Sequence, residues 1–200
     1  MYKLVTKILI AQLRPYLEKL ISPLHTAFVL SRKGTNNAIV VQELIHFISR
    51  SKWKERFMAI KIDLEKAYEK LEWGFIRGRL IYTNLSMDLV ELIMSYISSV
   101  STSVLFNGGI LEPIQPSRGI KQGDPLSPYI FIMCIEFLGQ LIEAKCIEKL
   151  WNPIKASRNG PSFSHLFFTD DLVLFAKANQ ANCTTIWEVM KIFVRNLGNQ

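Results

Sequence analysis

The stretch His165-Leu-Phe-Phe-Thr-Asp-Asp-Leu-Val-Leu-Phe175 contains two apolar runs on either side of a short polar turn. Apolar runs that are rich in aromatic and branched residues and bounded by turn residues are typical of strands, so we predict a β-hairpin here. Two adjacent aspartates at the turn repel each other and gain nothing from packing, which favours a bound cation. The alternative is an acidic surface turn, because aspartate is a common turn residue.

A second strand is predicted at Met58-Ala-Ile-Lys-Ile-Asp63, which also ends in an aspartate. If this strand pairs beside the hairpin, Asp63, Asp170 and Asp171 converge at one end of a sheet. Carboxylate ligands on rigid strands suit Mg²⁺. Two such ions about 3.5–4 Å apart would activate an attacking hydroxyl and stabilise the leaving oxygen in phosphoryl transfer. We therefore predict that the three aspartates are metal ligands.

A loop rich in glycine and proline lies between these strands: Pro116-Ser-Arg-Gly-Ile-Lys-Gln-Gly-Asp-Pro-Leu-Ser-Pro128. Its glycines permit close backbone approach, and it leads into the amino terminus of an apolar helix, where phosphate or base edges are well received. A purely structural turn with a helix cap would explain the glycines and prolines. It would not explain why Arg118, Lys121 and Gln122 cluster with them, which favours a functional loop.

The remaining elements are mostly helical in period. Helices are predicted over 2–21 with a kink or break at Pro15, over 38–48 and 66–80, after an N-cap at Ser86, from Asp124-Pro125 to about residue 147, and over 184–197. A further hairpin is predicted around Asn107-Gly-Gly109. The charged segment 50–56 is either a solvated loop or a nucleic-acid contact.

Composition narrows the classes of protein that fit. The 200 residues are 49% hydrophobic, which is enough for one globular domain with a core and argues against global disorder. A formal net charge of +7 favours a polyanionic partner, either nucleic acid or an anionic membrane surface. Three cysteines without a CxxC pair form neither a disulfide framework nor a zinc site, so a reducing, intracellular compartment fits best. No signal peptide or membrane-spanning segment is predicted, and the expectation is a soluble protein without a membrane partner.

Three motifs carry a family resemblance when they are taken in chain order: Asp63-Leu-Glu-Lys-Ala-Tyr68, Ser117 to Pro128, and Phe168-Thr-Asp-Asp171. Together they resemble the palm motifs of reverse transcriptases, with the closest likeness to LINE-type non-LTR retrotransposons of plants. The similarity also takes in 2–28, 41–44 and 157–160, so it covers nearly the whole chain. The resemblance implies an α+β fold: a right-hand polymerase palm, with a ferredoxin- or RRM-like antiparallel sheet and helices packed behind it, plus part of the fingers.

The resemblance also implies how metal ions are held. Asp63 and Asp170 would be the principal ligands of two Mg²⁺ ions, for which Mn²⁺ could substitute, and Asp171 would lie beside them. The backbone carbonyl of Leu64 would complete a metal shell. The implied activity is RNA-directed DNA polymerisation, in which a dNTP is joined to a primer 3′-hydroxyl.

Substrate contacts are implied in the same way. Tyr68 would sit under the sugar and exclude a ribonucleotide 2′-hydroxyl, while Gln122 and Gly123 would line the nascent base pair. Phe168 and Thr169 would approach the primer end. The implied partners are an RNA template with a DNA primer and a dNTP, in the nucleus or cytoplasm.

The chain departs mildly from the family pattern, and the family's upstream motif, whose arginine is expected to hold the incoming triphosphate, is expected to lie outside it, which supports a second interpretation. Glu69 replaces an aspartate, and the segment 27–32 lacks the family's proline and glycine, which would alter a turn in the fingers. We expect residues 1–56 to be fingers-side helices and a loop, residues 57–200 to be palm, and an upstream fingers motif and the thumb to lie outside the chain. The parent would be a polyprotein with an endonuclease.

The alternative function is a catalytically inactive retroelement remnant, at most a basic nucleic-acid-binding module. A palm-like nucleotidyl cyclase or metal-dependent phosphotransferase could also join a strand-end aspartate to an acidic hairpin, but the loop at 116–128 disfavours it.

Overall fold

The computed structural model describes residues 2–26, 32, 34–50, 56–157, 160–168 and 171–198. The helices are α1 (Tyr2–Leu20), α2 (Gly34–Arg50), α3 (Ala67–Lys70), α4 (Trp73–Tyr82), α5 (Met87–Ser98), α6 (Ser127–Ile147) and α7 (Gln180–Leu197). The strands are β1 (Phe57–Asp63), β2 (Leu105–Phe106), β3 (Gly109–Ile110), β4 (Ile154–Lys155), β5 (Ser162–Phe163), β6 (His165–Phe167) and β7 (Asp171–Lys177).

The central sheet has the antiparallel order β1-β7-β6, so the strand that follows the acidic turn is in the middle. Residues alternate between its two faces, as the period of a strand requires. Even-numbered residues of β7 face the main core, where Leu172, Leu174 and Ala176 are buried. Odd-numbered residues face the other side, where Val173 and Phe175 are buried in a smaller cluster.

Helices α6 and α7 close the main-core face of the sheet. Helix α6 is buried along most of its length because apolar side chains occupy nearly every position of its middle turns: Ile130, Phe131, Ile132, Met133, Cys134, Ile135, Leu138 and Ile142. Helix α7 is amphipathic and buries one stripe, which includes Ile186, Val189 and Phe193. It ends at Gly198, whose φ of 106° gives a left-handed cap.

Helix α2 covers the other face. Its buried Leu44 packs in the smaller cluster with Val173 and Phe175, and Val40 and Val41 lie against it. This cover is incomplete at β1, where Lys61 and Asp63 are exposed. The end of the sheet that carries the aspartates is therefore open to solvent.

The α+β prediction is confirmed, as are both hairpins and the Ser86 cap, whose hydroxyl accepts the Leu89 N–H at 3.4 Å. Helix α1 runs through Pro15 without a break. The single helix predicted over 66–80 is wrong, because the chain turns extended at Leu71 between α3 and α4. Tertiary partners take the backbone groups there: Leu71 O accepts the Gly119 N–H at 2.7 Å, and Glu72 N–H donates to Leu197 O at 3.2 Å.

The predicted start of the long apolar helix is also wrong. Helix α6 begins at Ser127, not after Asp124, and Pro128 lies in its first turn. The Asp124 carboxylate instead accepts the Leu126 N–H at 2.8 Å, which forms a tight turn before the helix. In the part of the chain that is described, no helix is long and apolar enough to cross a membrane.

Candidate active site

Two predicted carboxylates meet at the open end of the sheet. The β1–β7 register places Asp63 directly opposite Asp171, the last pair of the ladder. Directly opposed residues of antiparallel strands have Cβ atoms about 4.5–5.5 Å apart. Residues 108 positions apart in the sequence are therefore neighbours because two apolar strands end together.

Local turns place the two aspartates at these strand ends. After Asp63 the chain turns, with Lys66 at a φ of 53° and the Ala67 N–H bonded to Leu64 O at 3.1 Å. Before Asp171 the β6–β7 turn is closed by the Phe168 N–H, which donates to Asp171 O at 2.9 Å. Thr169 and Asp170, which the sequence places in this turn, lie outside the described residues.

A lysine offsets part of the negative charge at this end. Lys61 lies two residues before Asp63 on the same face of β1, and its Nζ is 2.9 Å from Asp171 Oδ2. The lysine side chain is 66% exposed and the aspartate 36%, so the pair contributes little to stability. Its effect is local, because the ammonium group compensates the repulsion between the two carboxylates.

The donor set at this end fits a hard divalent cation. Asp63, Asp171 and the Leu64 carbonyl supply only oxygen, which Mg²⁺ prefers over nitrogen or sulfur. Among the described residues no group of three or more His, Cys, Asp or Glu side chains is close enough to hold a metal ion. Asp170 would be the further carboxylate, and it is outside the described part of the chain.

Tyr68 is fixed from two sides. Its ring stacks on Phe131 of α6, with centroids 4.6 Å apart and an interplanar angle of 15°. Its backbone carbonyl accepts the Ile120 N–H at 2.9 Å. The residue predicted to touch the sugar is thus held against both the core helix and the glycine-rich loop.

The glycine-rich loop docks on the segment that follows β1. Besides the Leu71 bond, Gly119 O accepts the Trp73 indole N–H at 2.9 Å. Gly119 has a φ of +85°, and a Cβ there would lie 2.8 Å from Glu69 O. Only glycine permits this approach, so the loop and the Asp63–Tyr68 motif form one unit.

Gln122 and Gly123 form an exposed turn of this loop, next to a pocket of about 340 Å³. Loop residues line one side of the pocket, and Tyr96, Val100 and Thr102 line the other. The Tyr96 hydroxyl donates to Asp124 Oδ2, which ties α5 to the loop. The predicted cluster of Arg118, Lys121 and Gln122 is present on the rim, although Arg118 lies 3.5 Å from Glu72.

Two histidines and a glutamate are buried behind β6. Burial lowers the pKa of His25 to about 3 and that of His165 to about 4, so both imidazoles are neutral. Burial also raises the pKa of Glu136 to about 7. Both histidines are part of the core, and they do not face the aspartates' side of the sheet.

Sequence reasoning missed two polar residues. Lys61 could have been found, because its position two residues before Asp63 places both on one face of a strand. The buried Asn37, which is hydrogen-bonded to the strand before the acidic turn, lies one residue before the helix predicted over 38–48. The signal for it is its position three, four and seven residues before Val40, Val41 and Leu44, which places all four on one helix face.

An antiparallel sheet with paired carboxylates at one end, helices packed behind it and a docked glycine-rich loop is the arrangement of a polymerase palm. The model of the reverse transcriptase (RNA-dependent DNA polymerase) family matches residues 1–200. The chain belongs to this family, and the resemblance seen in the three motifs is confirmed.

Relatives include retrotransposon proteins. The chain is 28% identical over 155 residues to a retrovirus-related Pol polyprotein from a type-2 retrotransposable element of Drosophila melanogaster, which covers 78% of this chain and 14% of that protein. It is 43% identical over 67 residues to an uncharacterized mitochondrial protein of Arabidopsis thaliana. That match covers 34% of this chain and 55% of the plant protein. The matches therefore span about half of the plant relative and a small part of the polyprotein.

Solved structures show the same fold. Apo telomerase from Candida tropicalis superposes with a TM-score of 0.59 at 11% identity, over 98% of this chain and 34% of that one. The Candida tropicalis telomerase in complex with a fragment of telomeric RNA superposes with a TM-score of 0.57 at 13% identity, over 98% of this chain and 31% of that one.

Proposed function

We propose that this chain carries the catalytic centre of an RNA-directed DNA polymerase of retrotransposon type. The observation that carries the proposal is the β1–β7 register, which pairs Asp63 with Asp171 beside a glycine-rich loop docked on the same segment. In the proposed reaction the primer 3′-hydroxyl oxygen forms a bond to the α-phosphorus of a dNTP. The bond from that phosphorus to the bridging oxygen breaks, pyrophosphate leaves with its electron pair, and the hydroxyl proton passes to solvent.

Asp63, Asp170, Asp171 and the Leu64 carbonyl would hold two Mg²⁺ ions, with Mn²⁺ as a substitute. Bound divalent ions would lower the pKa of the attacking hydroxyl and neutralise charge on the phosphates. The chain's own contribution is placement: the ends of β1 and β7 bring Asp63 and Asp171 to a common edge. Lys61 compensates the carboxylates' charge through Asp171.

Tyr68 would select the sugar, because stacking on Phe131 leaves its ring little freedom to move away from a 2′-hydroxyl. Gln122 and Gly123 would line the nascent base pair from the exposed turn of the loop. Phe168 and Thr169 would approach the primer end.

The partners proposed are an RNA template, a DNA primer and a dNTP, held along a chain of net charge +7. Residues 1–56 would contribute to the fingers and residues 57–200 to the palm. The polyprotein relatives support a longer parent protein, and we propose that this parent also includes an endonuclease.

Primer extension on an RNA template tests the proposal. The parent chain and the exposed control Asp88→Asn should incorporate dNTPs with Mg²⁺ or Mn²⁺, whereas Asp63→Asn and Asp171→Asn should lose activity by about 10²-fold or more. Equal incorporation by all four proteins would overturn the assignment. Salt-sensitive nucleic-acid binding without any incorporation would instead establish the non-catalytic binding module.

A further inference from the structure

Asn37, in the first turn of α2, reaches the strand that leads into the acidic turn. Its side chain is only 5% exposed. Its Nδ2 donates to Phe167 O at 2.9 Å and to Leu24 O at 3.0 Å. Both acceptors are carbonyl oxygens, so only the NH₂ end of the amide can face them. One side chain therefore joins segments 130 residues apart in the sequence.

The peptide group that Asn37 holds also closes the acidic turn. The carbonyl of Phe167 and the N–H of Phe168 belong to one planar unit. On one side Asn37 donates to the carbonyl, and on the other the N–H donates to Asp171 O at 2.9 Å. This one peptide group therefore connects the side chain of Asn37 to the backbone of Asp171, a proposed metal ligand.

The second acceptor is anchored independently. The Leu24 carbonyl also accepts the Phe167 N–H at 3.1 Å, and His25 forms a parallel bridge with Phe167. The Arg32 guanidinium holds the same connection, since it donates to Ser22 O at 2.6 Å and to His25 O at 2.8 Å. Asn37 therefore donates to a segment that other hydrogen bonds already hold in place.

We infer that Asn37 is a positioning residue that fixes the Phe167–Phe168 peptide and thereby the place of Asp171 at the end of β7. The inference rests on the proposed function for its catalytic meaning, but the positioning itself is independent of any reaction. Substitution by aspartate would put a carboxylate against two carbonyl oxygens, while substitution by alanine removes both donors. Asn36, the preceding residue, is exposed and offers the matched control.

Amide hydrogen exchange tests the positioning without metal or substrate. In Asn37→Asp, and in Asn37→Ala should the aspartate variant not fold, the Phe168 amide should exchange roughly tenfold faster relative to amides of α7 such as Phe193. Asn36→Asp and Asn36→Ala should leave this ratio unchanged. The inference would be overturned if the ratio of the Phe168 rate to the α7 rates is unchanged in the Asn37 variants. This would happen if exchange is unaltered or rises equally at all amides.

Mn²⁺ titration of the folded proteins tests the link to the carboxylates. Asn37→Ala should weaken Mn²⁺ binding severalfold while Asn36→Ala binds like the parent, and equal affinity in both would overturn the link. Failure of the parent chain to bind Mn²⁺ would overturn the proposed function instead. The exchange of Phe168 would then still decide whether Asn37 positions the turn.

Discussion

The two predicted hairpins share one sequence pattern and have opposite surroundings. In β6–β7, Phe175 is completely buried, and strands or helices pack on both faces. In β2–β3, Leu105 is 72% exposed and Phe106 is 63% exposed. Two apolar runs around a polar turn therefore predict a hairpin in both places, but they do not predict what covers it.

Bonds to the rest of the chain separate the two hairpins. The buried one is held by Trp151, whose indole N–H donates to Phe175 O at 3.0 Å, and by Asn37 at Phe167. The exposed one is extended by its own ladder, with Thr102 and Ile114 bonded to each other in both directions. An isolated two-stranded hairpin is marginal in water. A turn that must hold carboxylates in place thus needs support from distant residues.

The largest expected difference between the hairpins is in stability. Phe175→Ala should lower the free energy of unfolding by about 3–5 kcal/mol, because it leaves a cavity in a filled core. Phe106→Ala should change it by less than about 0.5 kcal/mol, because the ring is in solvent. Urea unfolding of both variants measures the contrast. Similar losses would show that the exposed hairpin is covered in solution.

Much of the fold follows from local pattern. Strand β1, strand β7 and the acidic turn could be predicted because alternation and apolar runs are set by neighbours in the sequence. The convergence of Asp63 and Asp171 could be predicted only on the condition that β1 pairs beside the hairpin. Which strands pair depends on contacts between residues more than 100 positions apart, and no local signal encodes them.

The break between α3 and α4 and the position of Asn37 show where prediction stops. Helical period continues through Leu71, yet the Gly119 N–H takes its carbonyl and the helix ends. The helix predicted over 38–48 leaves Asn37 outside, although α2 includes it. Its partners lie on a strand that only the folded chain brings near.

The second prediction concerns Glu136, which lies under the buried hairpin. A Cβ at Gly139 would lie 3.7 Å from Glu136 Oε1 and 3.3 Å from His165 Nε2, so both groups lie close to this glycine behind β6. Burial raises the pKa of Glu136 from 4.5 to about 7. The stability that the neutral Glu136 carboxyl contributes is therefore fully present below pH 4.5 and is lost as pH rises through about 7. Glu136→Gln should be more stable than the parent by about 3 kcal/mol at pH 8, with little difference near pH 4.5.

Denaturant unfolding across pH 4.5–8 measures this gap, with the exposed Glu188→Gln of α7 as control. The parent's own profile also contains the two histidines, whose lowered pKa values remove stability as pH falls below 6.5 towards about 4 and 3. The difference between parent and Glu136→Gln cancels that contribution. A gap that does not widen with pH would contradict a buried, neutral Glu136.

The smallest expected effect compares two glycines with the same backbone. Gly119 and Gly108 have φ values of +85° and +81°, but a Cβ at Gly119 would meet Glu69 O at 2.8 Å, whereas nothing lies within 4 Å of one at Gly108 in the exposed hairpin. Alanine at either position pays about 1 kcal/mol for the left-handed conformation. Gly119→Ala should cost about 1–2 kcal/mol more and shift the Trp73 indole N–H resonance, because the loop must move away from α3. Equal losses of stability at the two positions, with the Trp73 resonance unmoved, would mean that the glycine-rich loop is not docked on the Asp63–Tyr68 motif in solution.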